Sequence, residues 1–415
     1  MTPGRDGGMF STLEATPHAE AANNGSGPGR RETRVAEVRR SGPSGNYWYA
    51  VELASKLRRG QVIAVVWWKS SIALYRDDAG TVSALEDRCA HRQLPLSCGR
   101  VEGSRLVCQY HGWKYDGAGR CVEISHELGK GRDKLPKIGI RSYPVKERYG
   151  LIWIFPGDPA LAEGVPLPEV PELGGPSPWP VVPIDVTIGA HFSMIVENVC
   201  DFNHAYLHRN KEPFVDPKLV EYGRVGDTIN VTYQTSFGKS LIARLASENG
   251  GKGLDRIKLW YQYPYQGSDI LGKYLHWLFM LPIDERTTRC FFLFLFGPIE
   301  IPFLRWTIPR PLKPLALKLA NRLYVEPLLA EDKWILEAEQ AGFDRHADRP
   351  MIELNPAVIE FQKLTLEKAR EYQQSELSRS LRHRQAESDQ AARASAVAES
   401  SLFAVEASPD ASAAQ

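Results

Sequence analysis

The sequence is poor in cysteine, carries no excess of either charge and has no long apolar run. Six cysteines in 415 residues are too sparse for the disulfide framework of a small secreted domain, so a reducing cytoplasm is the expected setting. With 51 basic and 50 acidic residues the formal net charge is +1, so no broad attraction to nucleic acid is expected. The N-terminus has no signal-peptide pattern, and the apolar residues 291–304 are too short and too interrupted to span a bilayer.

The composition changes along the chain and divides it into four parts. Residues 1–45 are rich in Gly, Pro, Asn and Ala, and residues 376–415 have few large apolar side chains, so both ends are expected to be disordered. Residues 46–155 contain β-branched and aromatic runs at 61–68, 72–76 and 150–155, which predict a small all-β domain. After a proline-rich stretch, residues 156–375 predict a mixed domain with helices over 190–207, 325–340 and 356–374 and strands over 230–237 and 289–296.

The first motif pairs one cysteine with one histidine twice, with 16 residues between the two pairs: Cys89-Ala90-His91 and Cys108-Gln109-Tyr110-His111. A Rieske 2Fe-2S cluster has two Cys on one iron and two His on the other, and this motif offers that ligand set. A structural zinc site is the alternative, but zinc usually takes its two Cys from one short segment and its two His from another. The mixed pairs favour the cluster, with Trp113 and Tyr115 expected to shield it from solvent.

The second motif is a short segment with two histidines and an aspartate. His204 and His208 are four residues apart, so on a helix they share one face and can bind one metal ion. A non-haem iron that activates O2 takes two His and one carboxylate, and Asp332 is the candidate for the carboxylate. Asp201 is then free to orient a ligand histidine by a hydrogen bond. A solvated polar face or histidines satisfied within a core are the alternatives.

With these two motifs, the chain resembles the Rieske non-haem iron oxygenases over about residues 46–375. Residues 89–92, 96–99 and 108–113 look like the cluster signature of the family, and residues 197–208 look like its iron motif. Residues 110–121 are most similar to the branch that contains the pheophorbide a and chlorophyllide a oxygenases. The resemblance implies an α+β architecture, with an N-terminal all-β Rieske domain followed by a helix-grip catalytic domain, an antiparallel sheet with helices on one face.

The resemblance also implies a role for each motif residue. The 2Fe-2S cluster would be bound by Cys89, His91, Cys108 and His111. A mononuclear Fe(II) would be held by His204, His208 and Asp332, with Asn198 close to it and O2 as co-substrate. Asp201 would bridge the cluster of one subunit to the iron of its neighbour, which implies a homotrimer.

Electrons are expected to come from another protein. No Gly-x-Gly-x-x-Gly motif follows an expected strand, so a ferredoxin, an NAD(P)H-dependent reductase or both are implied as partners. The predicted function is O2-dependent hydroxylation of a bulky, apolar, cyclic small molecule. An oxidative cyclase or desaturase of specialised metabolism, such as one that closes a tripyrrole (prodiginine) ring, is the alternative. From other classes, a Rieske electron-transfer protein without catalysis and a zinc-stabilised binding module also stay open.

Residues 305–323 combine tryptophan, leucine and regularly spaced basic residues. This composition is typical of a segment that lies on a membrane surface, and equally of one that packs on a sheet or on a neighbouring subunit. The expected location is therefore the cytoplasm, with a peripheral membrane contact as the alternative.

Overall fold

The computed structural model describes residues 33–124, 138–208, 214–236, 254–297, 317–319 and 321–406. Its N-terminal half contains short antiparallel strands in three sheets. The first sheet has the order β1 (Tyr49–Leu53), β11 (Leu151–Ile154), β10 (Val145–Arg148). The second has the order β2 (Gln61–Trp67), β3 (Ser70–Arg76), β4 (Val82–Glu86), β9 (Ser142–Tyr143). The third has the order β5 (Arg100–Glu102), β6 (Arg105–Val107), β7 (Lys114–Tyr115), β8 (Cys121–Glu123).

The C-terminal half is built on one seven-stranded antiparallel sheet. Its order is β12 (Val181–Ile188), β18 (Thr287–Phe296), β17 (Tyr274–Asp284), β16 (Tyr265–Ile270), β15 (Asp255–Gln262), β14 (Thr228–Ser236), β13 (Val215–Val225). The helices are α1 (Arg34–Val38), α2 (Pro171–Gly174), α3 (Phe192–Cys200), α4 (Glu326–His346) and α5 (Pro356–Glu406). Within the part of the chain that the structure describes, no helix combines the length and apolar character needed to cross a membrane.

Both faces of the large sheet are apolar, and they face different partners. Along β17, Trp277 and Phe279 join the hydrophobic core of the N-terminal half, where Trp153 lies 4.8 Å from Phe279 between ring centroids. The alternate residues Leu278 and Met280 join a second core with the helices α3, α4 and α5. Because side chains alternate along a strand, one sheet both anchors the small β domain and forms the floor under the helices.

The predicted strands and the α+β architecture are confirmed, and the two ends of the described chain differ from the expectation. Helix α1 lies before residue 46, with Val35 and Val38 buried and Arg34 Nε donating to Gln362 Oε1 at 3.0 Å. Helix α5 continues to Glu406, where a disordered tail was expected from residue 376. The tail is rich in Ala, Glu, Arg and Gln, and these residues favour a helix even where few apolar side chains are available for burial.

Candidate metal centres

The two Cys-His pairs lie on two loops that each close on themselves. In the first loop, Gln93 N donates to Cys89 O at 3.0 Å and Cys89 N donates to Leu94 O at 2.8 Å. In the second loop, between β6 and β7, Gly112 N donates to Cys108 O at 3.1 Å. Gly112 has φ +67°, a conformation that glycine adopts without strain. Each loop thereby turns its cysteine and its histidine toward the same point.

The four predicted cluster ligands are brought together with the thiols inside and the imidazoles outside. Cys89 and Cys108 are buried, whereas His91 is exposed and His111 is half-buried. The Nδ1 atoms of the two histidines are 3.1 Å apart. Burial, and then the neighbouring Cys89, raises the pKa of the Cys108 thiol. Two adjacent thiols beside two facing imidazoles fit the donor set of a Rieske cluster, whose binding displaces the thiol protons.

The surroundings of this centre are asymmetric. Tyr115 is fully buried, and its hydroxyl lies 3.3 Å from Cys89 Sγ and accepts a hydrogen bond from Ala90 N at 3.0 Å. Trp113 stacks on His91 at 4.9 Å between ring centroids. Tyr110, beside His111, is 56% exposed. The protein therefore covers the cysteine edge and leaves the histidine edge at the surface.

The second motif does not form the single helix that was expected over residues 190–207. Helix α3 ends at Cys200, and a separate 3₁₀ turn follows at Phe202–Tyr206. The break has a local cause, because Asp201 is extended and caps the new turn through a hydrogen bond from Asn203 N to its Oδ1 at 2.9 Å. His204 thus lies on the 3₁₀ turn, and His208 follows just after it.

Despite the break, His204, His208 and Asp332 lie close together. Each offers one ligand atom, and these three atoms lie within 4.8 Å of one another. Asp332 Oδ1 lies 3.3 Å from His208 Nε2 and 3.7 Å from His204 Nε2. Asn198, at the end of α3, donates from Nδ2 to the same Asp332 oxygen at 3.4 Å. Two imidazole nitrogens and one carboxylate on one side of a point are the donor set that non-haem iron(II) takes, so the residues fit the metal.

The other nitrogen of each histidine is held by a hydrogen bond that sets the ring orientation. His208 Nδ1 donates to Glu331 Oε2 at 2.7 Å, and His204 Nδ1 donates to the backbone carbonyl of Asp201. Asp201 therefore orients His204 with its main chain, while its carboxylate holds Asn203. Glu331 was missed by the sequence analysis, although its position next to Asp332 was the available signal.

The two histidines differ in their electrostatic surroundings. Burial lowers the pKa of His204 and outweighs the charge of Asp332. Burial also acts to lower the pKa of His208, but the hydrogen bonds and charges of Asp332 and Glu331 outweigh it and raise the pKa. The carboxylates on α4 thus make His208 the more basic of the two nitrogen donors.

Comparisons with known proteins decide the family. A Rieske [2Fe-2S] domain model matches residues 47–144, and a vanillate O-demethylase oxygenase C-terminal domain model matches residues 188–371. A 4beta-methylsterol monooxygenase from Methylococcus capsulatus is 62% identical over 342 residues, which cover 82% of this chain and 93% of that protein. The chain is a Rieske non-haem iron oxygenase. It is therefore an oxidoreductase that uses a Rieske 2Fe-2S cluster, a mononuclear non-haem iron, O2 and an external electron donor.

Two further relatives show how far each likeness extends. The crystal structure of dicamba monooxygenase bound to dicamba has the same fold, with a TM-score of 0.63, 24% identity and coverage of 78% of this chain and 97% of that one. The predicted relation to chlorophyllide a oxygenases is confirmed by the Chlamydomonas reinhardtii enzyme, 29% identical over 162 residues, which are 39% of this chain and 24% of that one. Family membership removes the electron-transfer and zinc-module alternatives.

Proposed function

We propose that this Rieske oxygenase hydroxylates a methyl group on a sterol. The observation that carries the proposal is the 62% identity to a methylsterol monooxygenase along 93% of that protein, which includes the segments of both centres. A sterol is a bulky, apolar, cyclic molecule, the substrate class that the sequence predicts. The net reaction converts R–H, O2, two electrons and two protons into R–OH and water.

We assign the iron to His204, His208 and Asp332, with Asn198 beside the carboxylate, and the cluster to Cys89, His91, Cys108 and His111. Three protein ligands on one side leave the remaining coordination positions for O2. When bound there, iron(II) supplies O2 reduction and C–H oxidation, with electrons relayed through the cluster. The residues themselves hold the geometry, because Glu331 and the Asp201 carbonyl fix the two imidazoles.

We propose that aromatic rings on the helix-facing side of the large sheet support the apolar substrate site. Phe292 and Phe294 lie nearly parallel with ring centroids 5.6 Å apart, and Tyr274 stacks on Phe294 at 5.8 Å. These rings belong to the same core as helix α3. Flat aromatic surfaces of this kind suit a rigid fused-ring molecule, which loses little conformational entropy on binding.

Electron delivery is proposed to occur between subunits of a homotrimer. The histidine edge of the cluster, with exposed Tyr110, is at the surface of the N-terminal half. Asp201 lines a surface depression together with Asn203 and Leu354, which is 84% exposed. Docking of the histidine edge into this depression of a neighbour would put Asp201 between the two centres. Light scattering should give three chains per particle, and a monomer would contradict the proposal.

A peripheral membrane contact is proposed for the start of the α4 region. Leu319, Leu323 and Trp334 are 57%, 67% and 64% exposed, and the exposed Lys318 and Arg322 lie among them. Exposed apolar and basic side chains close together in the sequence suit contact with an anionic bilayer, where a sterol substrate resides. Residues 305–316, part of the predicted membrane segment, lie outside the described residues.

Flotation with phosphatidylglycerol vesicles tests this contact. Wild-type protein should rise with the vesicles, and Trp334→Ala should rise markedly less. Leu377→Ala removes another exposed apolar side chain, 59% exposed on α5, and should float like wild type. Wild-type protein that stays at the bottom of the gradient would remove the membrane contact from the account.

The activity itself is tested with purified oxygenase, a ferredoxin–reductase pair, NADH and a 4-methyl sterol. Mass spectrometry should find a sterol with one additional oxygen on the methyl carbon, formed only in the presence of O2. A product that has lost two hydrogens and gained no oxygen would instead support the desaturase or cyclase alternative. No turnover of any 4-methyl sterol would contradict the proposed substrate class.

A further inference from the structure

A buried arginine joins two helices that carry residues of the iron site. Arg39 directly follows helix α1, and only 7% of its surface is exposed. Its Nη2 donates to Glu197 Oε2 on α3 at 3.2 Å and to Glu339 Oε1 on α4. One guanidinium group thus binds a carboxylate on each of two helices, which its several donors in one plane allow.

A glutamine on a third helix holds the other oxygen of Glu197. Gln362 on α5 donates from Nε2 to Glu197 Oε1 at 3.1 Å. The Oε1 of Gln362 in turn accepts a hydrogen bond from Arg34 Nε at 3.0 Å. Both carboxylate oxygens of Glu197 are therefore bound, and residues 34–39 join α3, α4 and α5.

The bridge made by Arg39 acts close to the iron site on both helices. Glu197 directly precedes Asn198, whose Nδ2 donates to Asp332 Oδ1 at 3.4 Å. Glu339 follows Asp332 on α4 by about two helical turns, so these two carboxylates lie on the same face of that helix. Arg39 therefore fixes the spacing of α3 and α4 along the face of α4 that meets Asn198.

Other hydrogen bonds join the two helices at a different point. Gly189 N donates to Glu337 Oε1 at 3.0 Å. His191 N donates to Gln340 Oε1 at 2.9 Å. Both donors lie just before α3, so these bonds fix the start of that helix. The arginine bridge acts nearer to the other end, where the iron-site asparagine lies.

The charge of Arg39 is needed because Glu197 is buried. Burial raises the pKa of Glu197 to about 7, although Arg39 acts to lower it, and the charge of Glu339 acts to raise it further. Without Arg39, the two carboxylates would repel each other or Glu197 would take up a proton. Either outcome breaks the bridge between α3 and α4.

We propose that Arg39 is a positioning residue of the iron centre: by bridging α3 and α4, it holds Asn198 against Asp332 and so sets the affinity for iron(II). This inference rests on the iron ligands assigned under the proposed function, and it deepens that assignment. It also gives a role to the segment before residue 46, which the composition alone predicts to be disordered.

The sign of the effect separates positioning from simple charge. Arg39→Met removes a positive charge, which by itself would strengthen the binding of iron(II). Loss of the bridge should instead weaken binding by on the order of 10-fold, the lower end of the range for residues that orient metal ligands. Arg39→Lys keeps the charge and can bind one carboxylate, so it should show a smaller loss. Competition with a chelator measures the affinity in folded protein with an intact cluster spectrum.

Arg289→Met is the matched control. Arg289 also bridges two carboxylates, with Nη2 at 2.9 Å from Glu52 and 2.7 Å from Asp185. These partners belong to strands β1 and β12 rather than to the iron-site helices. Its loss should lower the free energy of unfolding in urea and leave the affinity for iron unchanged. An equal loss of iron affinity in Arg289→Met would overturn the inference.

A double-mutant cycle with Asn198→Ala tests the route from Arg39 to the iron. Asn198→Ala should itself weaken iron binding, because Asp332 loses a hydrogen-bond donor. If Arg39 acts through Asn198, adding Arg39→Met should then cost little more. Losses that simply add would contradict the proposed route.

The possible failures are distinguishable. Unchanged or tighter iron binding in both Arg39 variants would overturn the inference and leave the proposed function intact. Unchanged iron binding in His208→Ala would contradict the proposed iron ligands, and the inference falls with them. If Arg39→Met does not fold, the charge-conserving Arg39→Lys carries the test.

Discussion

The two metal centres are built from different kinds of sequence information. The facing cluster histidines are 20 residues apart, on the loop between β4 and β5 and the loop between β6 and β7. At the iron centre, His208 and its partner Glu331 are 123 residues apart, and the described part of the chain between them forms six strands of the large sheet. A local centre can form wherever its loops close, whereas a distant one exists only if the whole catalytic domain folds around it. The two centres should therefore be separable by mutation.

The largest expected effect is the loss of the iron alone. His208→Ala removes a nitrogen donor and leaves the Asp332 and Glu331 carboxylates without it, so oxygenation should fall by at least about 10³-fold. Iron should drop from about three to about two atoms per chain while the visible spectrum of the cluster persists. His346→Ala, an exposed histidine on α4, is the control and should keep all its iron. Loss of the cluster spectrum in His208→Ala would show that the centres are not separable.

The converse change should remove the cluster alone. Cys108→Ala deletes a buried thiolate donor, so acid-labile sulfide and the visible spectrum should disappear and reductase-driven turnover with them. About one iron per chain should remain at the second centre. Cys98→Ala removes an exposed cysteine from the same domain and should behave as wild type. A Cys108→Ala protein with no iron at all would contradict independent assembly.

Most residues of the two metal centres could be predicted from the sequence. The features that the sequence analysis missed have physical causes. The cluster ligands, His204 and His208 are recognisable because their spacing is short. Glu331 was missed because its hydrogen bond to His208, 123 residues away, leaves no pattern of its own, and its position next to Asp332 was the one available signal. The break at Asp201 was missed because residues 190–207 have helical periodicity, and a capping side chain overrides it.

A smaller effect is expected when the partner of His208 is changed. Glu331→Gln keeps the size of the side chain but removes the charge that orients the imidazole, so iron affinity should fall about 10- to 100-fold. Competition with a chelator measures the affinity. Glu326→Gln, in the first turn of the same helix, should not change it. Equal iron retention in both variants would remove Glu331 from the iron centre.

The smallest expected effect concerns acid stability of the catalytic half. Burial lowers the pKa of His191 to about 4 in the folded protein, against about 6.5 in the unfolded chain. Between these two pH values the unfolded chain therefore binds a proton at His191 more readily than the folded protein does. The contribution of the neutral, buried His191 to the free energy of unfolding is complete above pH 6.5 and is lost as the pH falls toward 4. Arg39 and Glu285 are the charges that act on His191. His191→Gln should remove about 2 kcal/mol of the stability change between pH 7 and pH 5, measured by urea unfolding. An unchanged pH dependence would contradict the burial of this histidine.

The central claim is that the iron held by His204, His208 and Asp332 inserts one oxygen atom from O2 into a methyl sterol. A single turnover tests it without any assumption about the electron donor. Chemically reduced enzyme is mixed with a 4-methyl sterol under oxygen-18 gas, and the product is analysed by mass spectrometry. The account predicts a hydroxylated sterol that carries one oxygen-18 atom, absent when His208→Ala is used. An oxidised product without the label, or one that is only two hydrogens lighter, would contradict it.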